Sequence, residues 1–167
     1  MINTIQCFKT VALAFVMATF FSLPAFSQQI PSLKVEELVA KYSQAKGVVV
    51  VNFWSTWCKP CQEEMPHFIK ITDSLKSKGV SLLLVSLDTR TVYAQGKIKS
   101  LMQKKKWKAN VVWLNETNAD HYCPAIDNEW SGVIPVTLIV NPSKNYHRFY
   151  ESELSKEELI KGIEEAL

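Results

Sequence analysis

The sequence is poor in glycine, histidine and cysteine, and each shortage argues against a class of site. Its 167 residues include five glycines, three histidines and four cysteines. The glycines form no G-x-G-x-x-G segment, so no flavin or nicotinamide cofactor is expected. One C-x-x-C pair is present, but neither a second such pair nor a histidine pair follows to complete a zinc site. We therefore predict neither an organic cofactor nor a bound metal.

The sequence also has no internal repeat, no low-complexity segment and little charge imbalance. Its formal net charge is +3 at pH 7. The run KKK at residues 104–106 is interpreted as the solvated face of a helix, so nucleic-acid binding is not expected. A chain of this length with 47% hydrophobic residues fits one globular domain.

Residues 1–27 are typical of a secretory signal peptide. One lysine and no acidic residue precede the apolar run at residues 11–23, and Ala25 and Ser27 follow it. We predict cleavage after Ser27, which leaves residues 28–167 as a single domain. A retained membrane anchor is the alternative, although the run is shorter than the roughly 20 residues of a membrane span.

Export affects how the cysteines are interpreted, because disulfides persist outside the cytoplasm. Cys7 precedes the apolar run, so it is not placed for lipid attachment and should leave with the signal peptide. Cys58, Cys61 and Cys123 remain. This odd number leaves one thiol unpaired or shared.

The hydrophobic pattern predicts helices that alternate with strands. Helices are expected at residues 32–47, 58–78, 93–107 and 155–167, and strands at 48–54, 80–88, 110–114, 136–140 and 145–151. Residues 115–133 are interpreted as irregular. This order predicts an α/β fold, with one mixed sheet that has helices on both faces and ends in an antiparallel hairpin.

Cys58 and Cys61 lie where a buried strand gives way to a helix. A thiolate at Cys58 would face the unpaired amides and the dipole of the helix N-terminus, and Lys59 adds a positive charge. Pro60 fits the first helical turn. The outer thiolate can attack a disulfide and the inner Cys61 can resolve the mixed disulfide, so we favour redox exchange.

Three other interpretations of this pair stay open but are weaker. A zinc site lacks further ligands, since His67 is expected to lie off the site. A purely structural disulfide would close a loop too short to constrain the unfolded chain much. Inert core cysteines would not need the position at the helix N-terminus.

Two segments carry a resemblance to a known family. VVVVNFWSTWCKPCQEEMP resembles the active-site segment of the thioredoxin superfamily, and GVIPVTLIVNPSK resembles its cis-proline segment. The Trp-Cys-x-Pro-Cys-x-x-Glu-x-Pro form is similar to that of exported TlpA/ResA-like thiol:disulfide oxidoreductases, and Pro66 matches their helix-kinking proline. The resemblance implies a thioredoxin fold with an N-terminal helix and an inserted helix and loop before the cis-proline strand.

The resemblance also implies roles for individual residues. Cys58 would attack the substrate and Cys61 would resolve the mixed disulfide. Pro135 would follow a cis peptide bond, and the backbone of Ile134 would pair with the substrate chain. Trp57 would form part of an apolar rim around Cys58.

The sequence departs from the family pattern in several places. Asn52 stands where thioredoxin has a buried aspartate, and an amide cannot serve as the base. By the resemblance, Asp88 is the candidate acid/base near Cys61, although an ordinary capping role is equally compatible with it. Glu64 fits the family pattern, but we expect a helical glutamate at this position to be solvated. The positive charge of Lys59 favours the thiolate of Cys58 and so the reduced form of the cysteine pair. It should therefore make the Cys58–Cys61 couple somewhat more oxidising.

The resemblance implies a periplasmic disulfide reductase that acts on other proteins and draws electrons from a membrane relay protein. Cysteines that attach haem in cytochrome c biogenesis are one family precedent for the substrate. A thiol oxidant and a binding module without turnover are the alternatives. Cys123 is interpreted as a small buried hydrophobe, with a third redox thiol as the alternative.

Overall fold

A computed structural model describes residues 29–167. The predicted signal peptide, its cleavage point and Cys7 lie outside the described residues. The strands are β1 Ser32–Leu33, β2 Val48–Trp54, β3 Val80–Ser86, β4 Asn110–Leu114, β5 Val136–Asn141 and β6 Tyr146–Tyr150. The helices are α1 Val35–Ser43, α2 Lys59–Ser74, α3 Arg90–Ala94, α4 Lys97–Lys105, α5 Ala119–Ile126 and α6 Lys156–Ala166. Two short 3-10 helices occupy Lys76–Lys78 and Pro142–Lys144.

The six strands form one mixed sheet in the order β1-β4-β3-β2-β5-β6. The first four strands of that order are parallel, whereas β5 runs antiparallel to β2 and β6 antiparallel to β5. Helical crossovers connect the parallel strands, and a tight turn connects β5 to β6. The predicted mixed sheet with helices on both faces is confirmed.

Two apolar clusters lie on opposite faces of this sheet. Buried side chains of α2, α4 and α6 make up one cluster, and those of α1 and α5 make up the other. All seven residues of β2 are buried, as expected for a central strand whose sequence is almost entirely apolar. No helix among residues 29–167 is long and apolar enough to cross a membrane.

The helix predicted at residues 93–107 is interrupted. Gly96 adopts a left-handed backbone (φ 66°) between α3 and α4, a conformation that glycine adopts without steric cost. The chain therefore turns between two short helices before it enters β4.

Two other differences concern short elements. Residues 115–133 contain α5, whose N-cap Asn118 accepts a 3.1 Å hydrogen bond from the backbone N–H of Asp120. Ser32, where the first predicted helix was expected to begin, instead pairs in β1 with Trp113 of β4, and α1 has Lys34 as its N-cap. Neither element has a periodic apolar pattern long enough to be recognised in the sequence.

Candidate active site

Cys58 and Cys61 form a disulfide at the N-terminus of α2. Their sulfur atoms are 2.02 Å apart and their Cα atoms 5.4 Å apart. Cys58 is the N-cap residue, and its Sγ accepts a 3.3 Å hydrogen bond from the backbone N–H of Cys61. Cys58 is 4% exposed and Cys61 is fully buried. Cys58 is thus the outer sulfur, as the order of attack and resolution requires.

The loop before β5 lies beside this disulfide. The Ile134–Pro135 peptide bond is cis. The pairing of Phe53 with Val136 places Pro135 next to the end of β2, from which the loop to Cys58 departs. Ile134 is half-buried and Pro135 is buried. The cis bond implied by the resemblance is therefore present at the site.

Two large apolar side chains, one next to Cys58 in sequence and one in the cis-proline loop, are exposed. Trp57, directly before Cys58, is 70% exposed, and Val133, two residues before Pro135, is 57% exposed. Trp54, the last residue of β2, is by contrast fully buried. Large exposed apolar side chains close together are typical of surfaces that bind other molecules.

Glu64 is buried beneath the disulfide, so the expectation that it is solvated was wrong. Its side chain is almost fully enclosed. Oε1 accepts a 2.8 Å hydrogen bond from Nδ2 of Asn52, and Oε2 accepts a 3.1 Å hydrogen bond from the backbone N–H of Leu154. Burial raises the pKa of Glu64 to about 7, although both hydrogen bonds oppose the increase and Glu153 adds a smaller one.

Helix periodicity explains why this carboxyl lies next to the inner cysteine. Residues three and four positions apart share one face of a helix. Cys61, Glu64, Met65 and Phe68 follow this spacing and are all buried in α2. The sequence signal for Glu64 was therefore available in this spacing, together with an amide inside the buried strand β2 that needed a hydrogen-bond partner.

Asn52 connects three elements around the site. It is fully buried in β2. Besides its bond to Glu64, Nδ2 of Asn52 donates a 3.1 Å hydrogen bond to Oγ1 of Thr137 in β5. The amide of Asn52 thus donates a hydrogen bond to the carboxyl of Glu64. An aspartate at position 52 would instead repel the Glu64 carboxylate.

Asp88 lies just beyond β3, and its hydrogen bonds hold the loop that precedes Cys58. Its carboxylate accepts hydrogen bonds from the backbone N–H of Thr56 at 3.0 Å, from Oγ1 of Thr56 at 2.6 Å and from Oγ of Ser86 at 2.9 Å. The backbone carbonyl of Asp88 accepts a 2.6 Å hydrogen bond from Nε1 of Trp113. These contacts make Asp88 a positioning group for the residues around Trp57.

The charge of Lys59 is partly offset by a neighbour. Its Nζ lies 3.6 Å from Oε1 of Glu63, one turn further along α2, and both side chains are exposed. Exposed ion pairs of this kind contribute little to stability, but they reduce the net field of each charge. The positive charge next to Cys58 is thus weaker than the sequence suggests.

His67 is connected to Glu64 through the backbone of one residue, Leu154. Its Nε2 lies 2.9 Å from the carbonyl oxygen of Leu154, whose N–H donates to Glu64. A surface depression lined by Glu63, Glu64 and His67 opens from this point to solvent. Burial lowers the pKa of His67.

Cys123 lies on the other side of the sheet from the disulfide. It is a buried free cysteine of α5 and packs with side chains of α1, whereas Cys58 and Cys61 belong to the opposite cluster. Burial, and secondarily the charges of Glu151 and Asp120, raises the pKa of the Cys123 thiol. This environment fits the interpretation of a small buried hydrophobe.

Among residues 29–167, one group combines side chains that could ligate a metal, namely Glu36, Glu116 and His121. Lys34 Nζ lies 3.3 Å from Glu116, and Nε2 of His121 lies 3.2 Å from Glu36. These side chains already form an ion-paired network around the start of α1. The group is distant in the fold from the disulfide, since α1 covers the opposite face of the sheet.

Sequence comparison relates the chain to thiol:disulfide oxidoreductases. The sequence model of the AhpC/TSA family matches residues 21–151. A thiol-disulfide oxidoreductase ResA of Bacillus cereus is 32% identical over 76 residues, which are 43% of this chain and 44% of the relative. ResA of Geobacillus kaustophilus is 25% identical over 121 residues, 72% of this chain and 63% of the relative. The chain thus spans less than two thirds of the length of either relative.

Solved structures of thioredoxin-like proteins share the fold. A thioredoxin-related protein from Neisseria meningitidis superposes with a TM-score of 0.63 at 25% sequence identity, covering 74% of this chain and 87% of that protein. The resemblance to TlpA/ResA-like proteins of the thioredoxin superfamily is thereby confirmed. Since the family model matches well over half of the sequence, the chain belongs to the AhpC/TSA family and has a thioredoxin fold.

Proposed function

We propose that this protein is an exported thiol:disulfide oxidoreductase that reduces disulfides in other proteins. The observation that carries this proposal is a disulfide at a helix N-terminus with a buried carboxyl, Glu64, one turn below its inner sulfur. Pro135 follows a cis peptide bond and lies next to the end of β2, from which the loop to Cys58 departs. Attack, resolution and proton transfer each have a suitable group at this site.

The reaction starts from the reduced pair. The Cys58 thiolate attacks one sulfur of the substrate disulfide, forms a mixed disulfide and releases the other substrate sulfur as a thiolate that takes up a proton. Cys61 then loses its proton to the Glu64 carboxylate and attacks Sγ of Cys58. This step releases the second substrate thiol and leaves the Cys58–Cys61 disulfide. The protein is oxidised by two electrons and the substrate disulfide is reduced to two thiols.

Glu64 is suited to accept the proton of Cys61. A general base works best when its pKa is near the operating pH, and burial places the pKa of Glu64 at about 7. The three-residue spacing on α2 puts the carboxyl and the thiol on the same buried face. Asn52 and Leu154 keep the carboxyl in place from two other parts of the chain.

The charges at the site support electron donation over electron withdrawal. A couple is oxidising when the protein stabilises its reduced thiolate form. A buried carboxylate near Cys61 does the opposite, since it repels a second negative charge. Glu63 partly offsets Lys59, which was one of the two sequence arguments for an oxidant. The helix N-terminus still favours a thiolate at Cys58, so a thiol oxidant is the second candidate.

The proposed substrates are proteins with accessible disulfides. Trp57, next to Cys58 in sequence, and Val133, in the cis-proline loop, offer exposed apolar contacts, and the proposed pairing site for an extended substrate segment is the backbone at Ile134. Cytochrome c before haem attachment is one substrate of this kind. Sustained turnover requires that a membrane protein return electrons to the Cys58–Cys61 disulfide.

The proposed location is the periplasm. The signal-peptide pattern of residues 1–27 supports export, and a stable disulfide requires an oxidising compartment. N-terminal sequencing of the protein recovered from the periplasm tests the predicted cleavage after Ser27. Recovery of the protein in the cytoplasmic fraction would contradict the proposal.

Reduction of insulin disulfides with dithiothreitol as electron donor tests the activity directly. We expect turnover by the wild type and by Cys123→Ala, and loss of turnover in Cys58→Ser. Trapping of a substrate by Cys61→Ser as a mixed disulfide would identify Cys58 as the attacking sulfur. If the wild type reduced insulin no faster than dithiothreitol alone while Cys58→Ser kept the full biological effect, a binding module without turnover would be the better interpretation.

A further inference from the structure

A groove with an apolar floor and a basic rim lies at the edge of the sheet, where the described chain begins. Ile30, Met102, Trp107 and Val111 contribute apolar side chains, and Lys99, Lys106 and Lys108 line the same groove, whose volume is about 520 Å³. We refer to these residues as the basic groove. Met102 is buried and Trp107 is partly exposed. The groove is separate from the residues assigned to disulfide exchange.

The segment that forms the basic groove has charge of one sign only. Between Asp88 and Glu116 the sequence contains no acidic residue, and its basic residues are Arg90, Lys97, Lys99, Lys104, Lys105, Lys106 and Lys108. A second depression of about 440 Å³ adjoins the groove at Lys108 and contains Asp73 and Lys76. The surface that includes the basic groove and this second depression therefore carries a net positive charge.

The sequence pattern suggested that the KKK run forms the solvated face of a helix. In the structure, not all three of its lysines lie in the helix. Lys106 ends α4 in a left-handed conformation (φ 57°). Nζ of Lys105 lies 5.9 Å from the ring centroid of Trp107. The turn thus places cationic groups around an indole ring at the mouth of the groove. Lysine next to tryptophan is the combination found where proteins meet the headgroup region of a bilayer.

The described chain begins beside the same groove, and the apolar run at residues 11–23 precedes it in the sequence. Tyr93 Oη donates a 2.9 Å hydrogen bond to the carbonyl oxygen of Ile30, and the N–H of Trp113 donates a 2.8 Å hydrogen bond to Pro31. These bonds fix the entry of the chain beside the groove. Only residues 24–28 separate Gln29 from the apolar run at residues 11–23. Fully extended, that connection reaches about 20 Å.

We propose that the basic groove docks on an anionic phospholipid surface. Lys105, Lys106 and Lys108 contact lipid phosphates, and Trp107 inserts at the level of the headgroups. As long as residues 1–27 are still attached, a bilayer that takes up the run at residues 11–23 holds this face of the domain against it through the short connection; after the proposed cleavage, the basic groove alone makes the contact. An acidic protein would match the charge equally well, but it would not account for the entry of the chain at the groove. The proposal does not depend on the redox function.

Vesicle co-sedimentation of the full chain tests the proposal. Binding to vesicles of phosphatidylcholine alone measures the contribution of the apolar N-terminal run. The additional binding to vesicles that also contain phosphatidylglycerol measures the contribution of charge. We expect a preference for the anionic vesicles that is large at about 0.1 M salt and small at about 1 M, where the Debye length shrinks from about 10 Å to about 3 Å.

The decisive comparison uses two triple variants with the same charge change. K105Q/K106Q/K108Q should bind anionic vesicles at least about tenfold more weakly than the wild type and bind neutral vesicles equally well. The control K41Q/K46Q/K161Q removes exposed lysines of α1, of the turn after it and of α6, and should keep the preference. Both variants should reduce insulin like the wild type, which verifies their fold. A wild type without preference for anionic vesicles would overturn the proposal, as would equal losses in the two variants.

Discussion

The side-chain amide of Asn52 donates a 2.8 Å hydrogen bond to Oε1 of Glu64 and so connects the central strand β2 to the redox helix α2. Both residues are buried, at 0% and 3% exposure. The other carboxylate oxygen of Glu64 accepts from Leu154, which precedes α6. A titratable group is thereby held between three elements, one helical turn from Cys61.

Replacement of Glu64 by glutamine should slow resolution of the mixed disulfide by about 100-fold, because Cys61 loses its proton acceptor. In the wild type this rate should rise with pH through about 7, as the Glu64 carboxyl ionises. In E64Q the inflection near pH 7 should vanish. Stopped-flow measurement of the resolution step across pH provides the test.

Glu63→Gln is the matched control for this experiment. It removes the same charge from the exposed side of the same helix, so its pH profile should keep the inflection. A profile for E64Q that retains the inflection near pH 7 would show that another group accepts the proton.

The stability of the oxidised protein should fall as pH rises from about 4.5 to about 7. Glu64 has a pKa of about 7 when folded and its ordinary value of 4.5 when unfolded. Between these values the folded state binds more protons, so increasing pH favours unfolding. The loss attributable to Glu64 is about 3 kcal/mol, complete above pH 7.

Urea unfolding of the oxidised wild type and of E64Q at pH 5 and pH 8 measures this effect. The free energy of unfolding of E64Q minus that of the wild type should be larger at pH 8 than at pH 5. The lowered pKa of His67 acts in the opposite direction, but it is common to both proteins and cancels in their difference. A difference in stability that does not change with pH would contradict burial of an ionisable Glu64.

Asp88→Asn should lower stability by about 1 to 3 kcal/mol, because the carboxylate accepts hydrogen bonds from the backbone and side chain of Thr56. Disulfide exchange should slow as the loop before Cys58 loosens. The inflection near pH 7 should persist, since the proton acceptor we propose is Glu64 and the contacts of Asp88 are to the loop. Loss of that inflection in D88N would instead support the acid/base role implied by the family resemblance.

Trp57→Ala should lower kcat/KM for a protein disulfide by about tenfold and leave reduction of a small disulfide such as oxidised glutathione nearly unchanged. The side chain is 70% exposed, so its loss should have little effect on the free energy of unfolding. Ile160→Ala removes an exposed apolar side chain of α6 and is the control. Equal losses on both substrates would argue against a role in binding the substrate chain.

Much of the sheet could be predicted because its strands have strong local signals. The continuous apolar runs of β2 and β3 can only be satisfied by burial on both faces. The position of Cys58 at a helix N-terminus follows from the same pattern. The thioredoxin-like segments around Cys58 and Pro135 then restricted the topology to one arrangement.

The features that were missed depend on contacts between distant elements. A glutamate on a helix is solvated unless another element covers it, and Glu64 is covered by the segment around Leu154, 90 residues away. The sequence left two roles open for Asp88, because its hydrogen bond from Thr56 joins residues 32 positions apart. Helix α5 is short and contains Pro124, so its pattern resembles a loop.

The reduction potential of the Cys58–Cys61 pair tests the central claim most directly. The measurement uses the protein with Cys123→Ala, equilibrated in dithiothreitol or glutathione buffers, so that only this pair titrates. The proposed reductase should have a strongly reducing potential, near the value of about −270 mV known for thioredoxin. A value near about −120 mV, at the oxidising end of the range, would contradict the account and make the protein a thiol oxidant.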